Sequence, residues 1–262
     1  MKYYYAEHLR GYARIQAEGK SAWGEIHGKI GFENFSARDF LNAVLPELHF
    51  ATTSPSVLNY GCGTGPDACF LAEHGFRVDA IDLIPTAIDI ARQQAALRGL
   101  DIHFAVQDIC ELPREGMRYD MIVDSYCLQC IVFDDERQRL FSAIRARLQP
   151  RGYYLLSTAV LDAEHQLSVR NGETVTVAGT SYTRYMDDGL IDLHSGVVLA
   201  PLEEDSSAYP DAVRVHDRWY LPHRRHLTAE QLEAELRSAG FEVIYRYADY
   251  AGSLACRVGA EL

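Results

Sequence analysis

Residues Val57–Gly65 read VLNYGCGTG. A short apolar run, Val57-Leu58-Asn59-Tyr60, passes directly into three alternating glycines, Gly61, Gly63 and Gly65. Glycine is needed where a chain must take positive φ, or where a ligand must approach the backbone closely. A strand that breaks into such a loop and is followed by a helix opened by Pro66 is the arrangement that holds ligands at the carboxyl edge of a parallel sheet. A tight strand-to-helix turn without a ligand is the alternative, and alternating glycines at this density weigh against it. The neutral Asn59 in front of the loop is the open question of the stretch.

Outward from the loop, strands and helices alternate. PDACFLAEHG predicts a helix stopped by Gly75, RVDAIDL a strand and PTAIDIARQQAALRG a helix. IHFAVQD and YDMIVDSY predict strands, DDERQRLFSAIRARLQP a helix ended at Pro150, and GYYLLSTAVL a strand. This order predicts an α/β fold, a doubly wound and mostly parallel sheet covered on both faces, with residues 55–160 as its core. Residues 1–54 predict an N-terminal helical lid. In it, AEHLRGYARIQ places Leu9, Tyr12, Ala13 and Ile15 near one face, and SARDFLNAVLPEL starts at Ser36 as N-cap with Asp39 in a capping-box-like position. The Gly- and aromatic-rich GKSAWGEIHGKIGFENF between them reads as a loop or lid around Trp23.

Residues 161–225 break the alternation. They predict a β-rich insertion after the fifth strand, with EEDSSAYPDA as a polar loop. Residues 226–262 return to the core pattern: Thr228 and Gln231 form a capping box, and GSLACRVG is the last strand, antiparallel or at an edge.

The 262 residues are 48% hydrophobic, enough for one sizeable core with an elaboration. The formal net charge of -12 and the absence of a basic stripe argue against nucleic acid; the longest basic cluster is His223–His226. There is no apolar run of membrane-spanning length and no signal-peptide core, so a cytoplasmic protein with reduced cysteines and no membrane partner is expected. Cys127-Leu-Gln-Cys130 lacks the further ligands of a zinc site, so no metal is expected, and the pair is expected to line or underlie the pocket.

The glycine spacing sorts the nucleotide-like ligands. A dinucleotide loop is G-x-G-x-x-G, and here the third position falls on Pro66, which counts against NAD. No Gly-Lys-Ser/Thr follows, which counts against ATP. VLNYGCGTGPDACFLAEHGFRVDAIDL resembles motif I and the following acidic strand of the class I S-adenosylmethionine-dependent methyltransferases. VQDICELP is similar to their third-strand motif, YDMIVDSYCLQCI to the fourth, and IRARLQPRGYYLLST to the helix, turn and strand beyond. The resemblance covers Pro55–Ala159, and more loosely Arg225–Val258.

That resemblance implies S-adenosylmethionine as cofactor, S-adenosylhomocysteine as product and in-line transfer of methyl to a small-molecule acceptor. It implies a cofactor pocket built from Tyr60, Gly61, Cys62, Gly63 and Gly65. Asp82 with Leu83 would take the ribose, Asp108 with Ile109 the adenine, and Asp124, Ser125 and Tyr126 would lie under the sulfonium and methionine. Beside the resemblance, the N-terminal tyrosines and Trp23 read either as helix packing over the sheet edge or as a lid with aromatic faces over the sulfonium and the substrate. In the family the position of Asn59 is most often an acid; Asn keeps the hydrogen-bonding shape and loses the charge. Tyr126 and His226 are the catalytic candidates, His because its pKa lies near working pH. Tyr182, Tyr185, Trp219, His223, Arg224 and Arg225, together with His194, are candidates for the acceptor pocket, with Arg suited to a carboxylate or phosphate. Two other readings keep the fold: a different displacement at the sulfonium that releases methylthioadenosine, and a binding protein without turnover. The expected assembly is a monomer or homodimer.

Overall fold

The structure, a computed structural model, describes residues 3–26, 28, 31–162, 169, 172–177, 179–186, 188–202 and 209–259. Their α-helices are α1 (Tyr3–Ala17), α2 (Trp23–Ile26), α3 (Arg38–Val44), α4 (Pro66–Glu73), α5 (Pro85–Leu97), α6 (Asp134–Arg147) and α7 (Ala229–Ser238), with short 3-10 turns between some elements. The core strands are β1 (Ser56–Tyr60), β2 (Arg77–Asp82), β3 (His103–Val106), β4 (Tyr119–Ser125) and β5 (Leu148–Ser157). The insertion supplies β6 (Thr174–Val177), β7 (Thr180–Tyr185), β8 (Gly189–Ile191), β9 (Val197–Leu202), β10 (Val213–Val215) and β11 (Arg218–Arg225). The chain closes with β12 (Phe241–Arg246) and β13 (Ser253–Val258).

The first sheet has the order β12-β13-β5-β4-β1-β2-β3. Strands β1 to β5 pair in parallel, and β13 is antiparallel to both β5 and β12. Every residue of β1 is buried, as expected of a central parallel strand covered on two faces. Leu58 and Tyr60 pack on one face with Ile122, Tyr154 and Leu156. Val57 faces the other way, with Val123, Ala80 and the α4 and α5 residues Ala68, Leu71, Ile88 and Ala91. The insertion is a separate antiparallel sheet of order β10-β11-β9-β8-β7-β6. The α/β expectation, with a β-rich insertion after the fifth strand, is what the chain adopts.

Several local expectations are corrected. On α1 the buried residues are Tyr3, Tyr4, Tyr12 and Ile15, while Leu9 and Ala13 are exposed. The helix is turned by its tyrosines: the Tyr3 hydroxyl donates to Glu136 Oε2 at 3.0 Å and accepts from the Val132 N–H at 2.7 Å. Ser36 does not cap α3; Ala37 holds the N-cap position without a side-chain bond. The region around Trp23 is the short helix α2 rather than only a loop. Helix α6 stops at Arg147, and Pro150 lies inside β5. It is tolerated because the β4–β5 register shifts there, from Tyr119↔Leu148 to Met121↔Tyr153, which frees it from the ladder. The last strand, β13, is antiparallel but interior; β12 takes the edge. The Thr228–Gln231 capping box is present at α7. Of the expected polar loop, residues 203–208 lie outside the described residues. Among the described residues, no helix is long and apolar enough to cross a membrane.

Candidate functional site

The sheet order changes direction at β1: the chain steps outward to β2 and β3, then returns to β4 on the other side. A crevice forms at the carboxyl ends where the order reverses. A cavity of about 410 Å³ lies there. The carboxyl ends follow one another along it: Gln107, Asp108 and Ile109 past β3, Asp82 and Leu83 past β2, Gly61–Gly63 past β1, and Ser125 and Tyr126 past β4. Tyr4, His8, Tyr12 and Trp23 cover it from α1 and α2.

The glycine loop is tight because other chain segments abut it. Gly61 has φ +59, and a Cβ there would meet Cys127 Cβ and Sγ at 2.5 Å. Gly63 has φ +55, and its Cβ would lie 2.7 Å from the Tyr12 hydroxyl. Asp82 locks the loop. Its Oδ2 accepts the Gly63 N–H and its Oδ1 the Ile84 N–H, both at 2.9 Å. Burial raises its pKa, and those N–H groups oppose the rise. Asp108 Oδ1 accepts the Cys110 N–H at 2.9 Å, which fixes the turn that carries Ile109.

Tyr126 has φ +63, a costly conformation for a bulky residue and a mark of a functional site. Its N–H donates to Ser157 at 2.7 Å, and its ring stacks on Tyr250 with centroids 6.3 Å apart. Burial raises its hydroxyl pKa, so Tyr126 is a hydrogen-bond donor rather than a base.

Three residues expected in the cofactor pocket stand behind its wall. Asp124 is turned inward, where its carboxylate accepts the Tyr60 hydroxyl at 2.9 Å and the Cys127 and Leu128 N–H groups at 2.7 and 2.9 Å. Burial pushes that carboxyl up to about 7. Tyr60 is withdrawn by the same bond and by Tyr154, whose hydroxyl is 2.7 Å away. Gly65 caps α4 with φ +86 and packs on Ala91 and Phe104. Asn59 is fully buried on the Val57 face; its Nδ2 donates to the Val123 carbonyl at 3.3 Å and its Oδ1 has no partner among the described residues.

Of the acceptor candidates, only Arg224 reaches the cavity. It forks onto Glu7 with both contacts at 3.1 Å. His223 is diverted to the same carboxylate, Nδ1 to Oε2 3.1 Å. Burial works against that carboxylate's charge, but His223 and Arg224 hold it well below the usual range. Arg225 is spent on Asp134 and the Val132 carbonyl. Tyr182 packs in the insertion with Leu190, Leu199, Val215 and Tyr220, and Trp219 lies under Arg214 on the same sheet. His226, expected to be catalytic, is not brought to the cavity: its Nδ1 lies 3.0 Å from the Tyr185 hydroxyl, and Tyr185 is buried in a separate apolar cluster. His194 sits on an exposed turn.

The histidine that does line the cavity is His8, which the sequence reading missed. Its Nδ1 lies 2.6 Å from the Tyr4 carbonyl, so that nitrogen carries a proton, and Nε2 faces Cys130 Sγ at 3.7 Å. Burial disfavours the imidazolium, but Cys130 and Glu7 outweigh it and raise the pKa to about 9. Burial also disfavours the Cys130 thiolate, and Arg224 and His8 bring its pKa down, whereas burial pushes Cys127 up. Thiolate content sets alkylation rate. With iodoacetamide near pH 7.5, Cys130 is expected to label roughly tenfold faster than Cys127, and His8→Gln to slow it severalfold. Peptide mapping reads both; equal rates at the two cysteines would disprove the pairing.

Comparison with known proteins agrees with this geometry. Residues 57–152 match the family described as a methyltransferase domain. The ubiquinone biosynthesis O-methyltransferase of Coxiella burnetii is 32% identical over 102 residues, 39% of this chain and 42% of that protein. The chain thus matches less than half the length of that relative. The CcbJ methyltransferase of Streptomyces caelestis superposes with TM-score 0.66 at 18% identity, over 99% of this chain and 100% of that one. The DhpI–SAH complex gives TM-score 0.58 at 17% identity, over 97% and 96% of the two chains. The chain has the class I methyltransferase fold.

Proposed function

We propose that this protein transfers a methyl group from S-adenosylmethionine to a small-molecule acceptor. One observation carries the reading: the carboxylate of Asp82, the glycine loop and Asp108 succeed one another along a single cavity at the carboxyl edge of the sheet. The residues fit the cofactor. A buried carboxylate with acceptor capacity beyond its two backbone bonds suits a ribose diol. The Gly61–Gly63 cradle, which a Cβ would fill, suits a ligand lying against backbone. The aromatic cover of Tyr12, Trp23 and Tyr126 suits a sulfonium, because a cation is drawn to a π face.

When bound, S-adenosylmethionine supplies a methyl carbon activated by its positive sulfur. The chain's part is placement. Asp82 and Asp108 hold the nucleoside, Tyr126 and the Cys127 turn form the floor beyond it, and α1 with α2 closes the cavity against water. Fixing donor and acceptor in line removes most of the entropic barrier, so a dedicated base is not required. The embedded cavity and the net charge of -12 favour a small acceptor over nucleic acid. The relative named as a ubiquinone biosynthesis O-methyltransferase supports an acceptor of small-molecule type.

Calorimetric titration with S-adenosylhomocysteine tests the reading; micromolar or tighter binding is expected. Its absence would overturn the proposal. Release of methylthioadenosine from S-adenosylmethionine without any acceptor would replace methyl transfer with another displacement on the same ligand.

A further inference from the structure

The proposed mechanism leaves one buried acid of the cavity wall unused. Asp67 lies in the first turn of α4, directly after the glycine loop. It lines the cavity and is only 5% exposed, yet its Oδ1 makes no hydrogen bond among the described residues. The Ser125 hydroxyl bonds the carboxyl, but a buried carboxylate oxygen left without a donor costs stability, so Oδ1 in a cavity wall calls for a ligand. Ser125, at the end of β4, has its hydroxyl beside it, and Tyr126 and Cys62 feel its charge. The position on the sheet edge identifies the ligand group. With the adenine at the β3 end and the ribose at the β2 end, the remainder of the molecule runs past β1 toward β4, and Asp67 sits between those two. That remainder is the amino-acid end, which carries an ammonium.

Resting on the cofactor reading above, we propose that Asp67 is the anionic receptor for the ammonium of the cofactor's amino-acid end. This also accounts for Asn59. Asn59 lies on the β1 face that packs against α4 and lacks a partner at its own Oδ1. A second carboxylate there would repel Asp67 and Asp124, both of which are already held partly protonated by burial. The chain carries its negative charge on α4 and keeps β1 neutral.

The test is a pair of calorimetric titrations at pH 8, with the intact protein and Asp67→Asn. The two probes are S-adenosylhomocysteine and methylthioadenosine, which shares the nucleoside and sulfur but has no amino-acid end. Asp67→Asn is expected to weaken S-adenosylhomocysteine at least tenfold and methylthioadenosine less than twofold. The variant is also expected to melt at a higher temperature at pH 8. The Asp67 carboxyl keeps its proton up to about pH 7 when folded, but loses it near pH 3.9 when unfolded. It therefore costs the fold stability as pH rises between those values. Equal weakening of both probes would show a structural role and overturn the assignment, as would S-adenosylhomocysteine bound equally by both proteins. No binding of either probe to the intact protein would overturn the cofactor reading, and the assignment with it.

Discussion

Asp82→Ala is expected to lower S-adenosylhomocysteine affinity by at least a hundredfold while the protein stays folded. Asp82 does two jobs. Its oxygens accept the Gly63 and Ile84 N–H groups at 2.9 Å, and so set the height of the glycine loop over β2. In the proposed complex the same carboxylate takes the ribose hydroxyls. A hydrogen bond to a charged group contributes about 1.5–3 kcal/mol. Losing two such bonds to the diol amounts to roughly 3–6 kcal/mol, and each 1.4 kcal/mol is a tenfold loss. The loop's own loss of order adds to this. Asp82→Asn separates the parts, because the amide retains one acceptor for the backbone and lacks the charge; an intermediate affinity is expected. Calorimetry measures both variants, with a thermal melt as the check on folding. Affinity in Asp82→Ala within threefold of the intact protein would show that the ribose lies elsewhere.

What could be read from the sequence divides by the range of the contacts involved. The glycine loop, Asp82 and Asp108 are legible because the spacing of a βα unit fixes where each strand ends, and the cavity lies along those strand ends. The inward turn of Asp124 is not legible. It depends on a hydroxyl from Tyr60, one strand away, and on the Cys127 turn folding back under the carboxylate. Of the acceptor candidates in the insertion only Arg224 lines the cavity, for a related reason. His223, Arg224 and Arg225 are adjacent in sequence, yet on β11 they meet different partners: Glu7 on α1 takes the first two, and Asp134 with Val132 takes the third. On α1 the expected face holds at Tyr12 and Ile15 and is off by one residue at Leu9 and Ala13. The sequence window centred on Leu9, whereas the face that matters runs Tyr4, His8, Tyr12, Ile15, spaced at helical period, and His8 passed unnoticed among tyrosines. Asp67 had a signal of its own, an acid directly after the glycine loop, but the usual reading of an acid in a first helical turn is favourable contact with the helix end.

Arg137→Ala is expected to destabilise the protein by roughly 3 kcal/mol, which for a chain of this size lowers the melting temperature by about 8 °C. Arg137 projects from α6 with its side chain 3% exposed. Its fork meets Glu235 of α7 with Nε to Oε1 and Nη2 to Oε2 both at 2.5 Å. Its remaining nitrogen, Nη1, donates to the Leu128 and Ile131 carbonyls at 2.8 Å each. Alanine would leave the Glu235 carboxylate and the Ile131 carbonyl without their donor and the Leu128 carbonyl with only the Ile131 N–H, and the unmet groups, rather than the lost attraction, set the cost. The consequence reaches the cavity, since the turn those carbonyls belong to carries Gln129, Cys130 and Ile131 into its wall. Asp124 holds the start of the turn through the Cys127 and Leu128 N–H groups, and Arg137 holds its end. S-adenosylhomocysteine affinity is therefore expected to fall along with stability. Arg137→Lys should recover little, because one ammonium cannot serve a two-oxygen fork and two carbonyls together. Arg137→Met combined with Glu235→Leu should recover part of the stability, because it removes the stranded carboxylate, but not the affinity, because the Ile131 carbonyl remains unserved. A melting temperature for Arg137→Ala within 2 °C of the intact protein would show that the turn holds its shape without this brace.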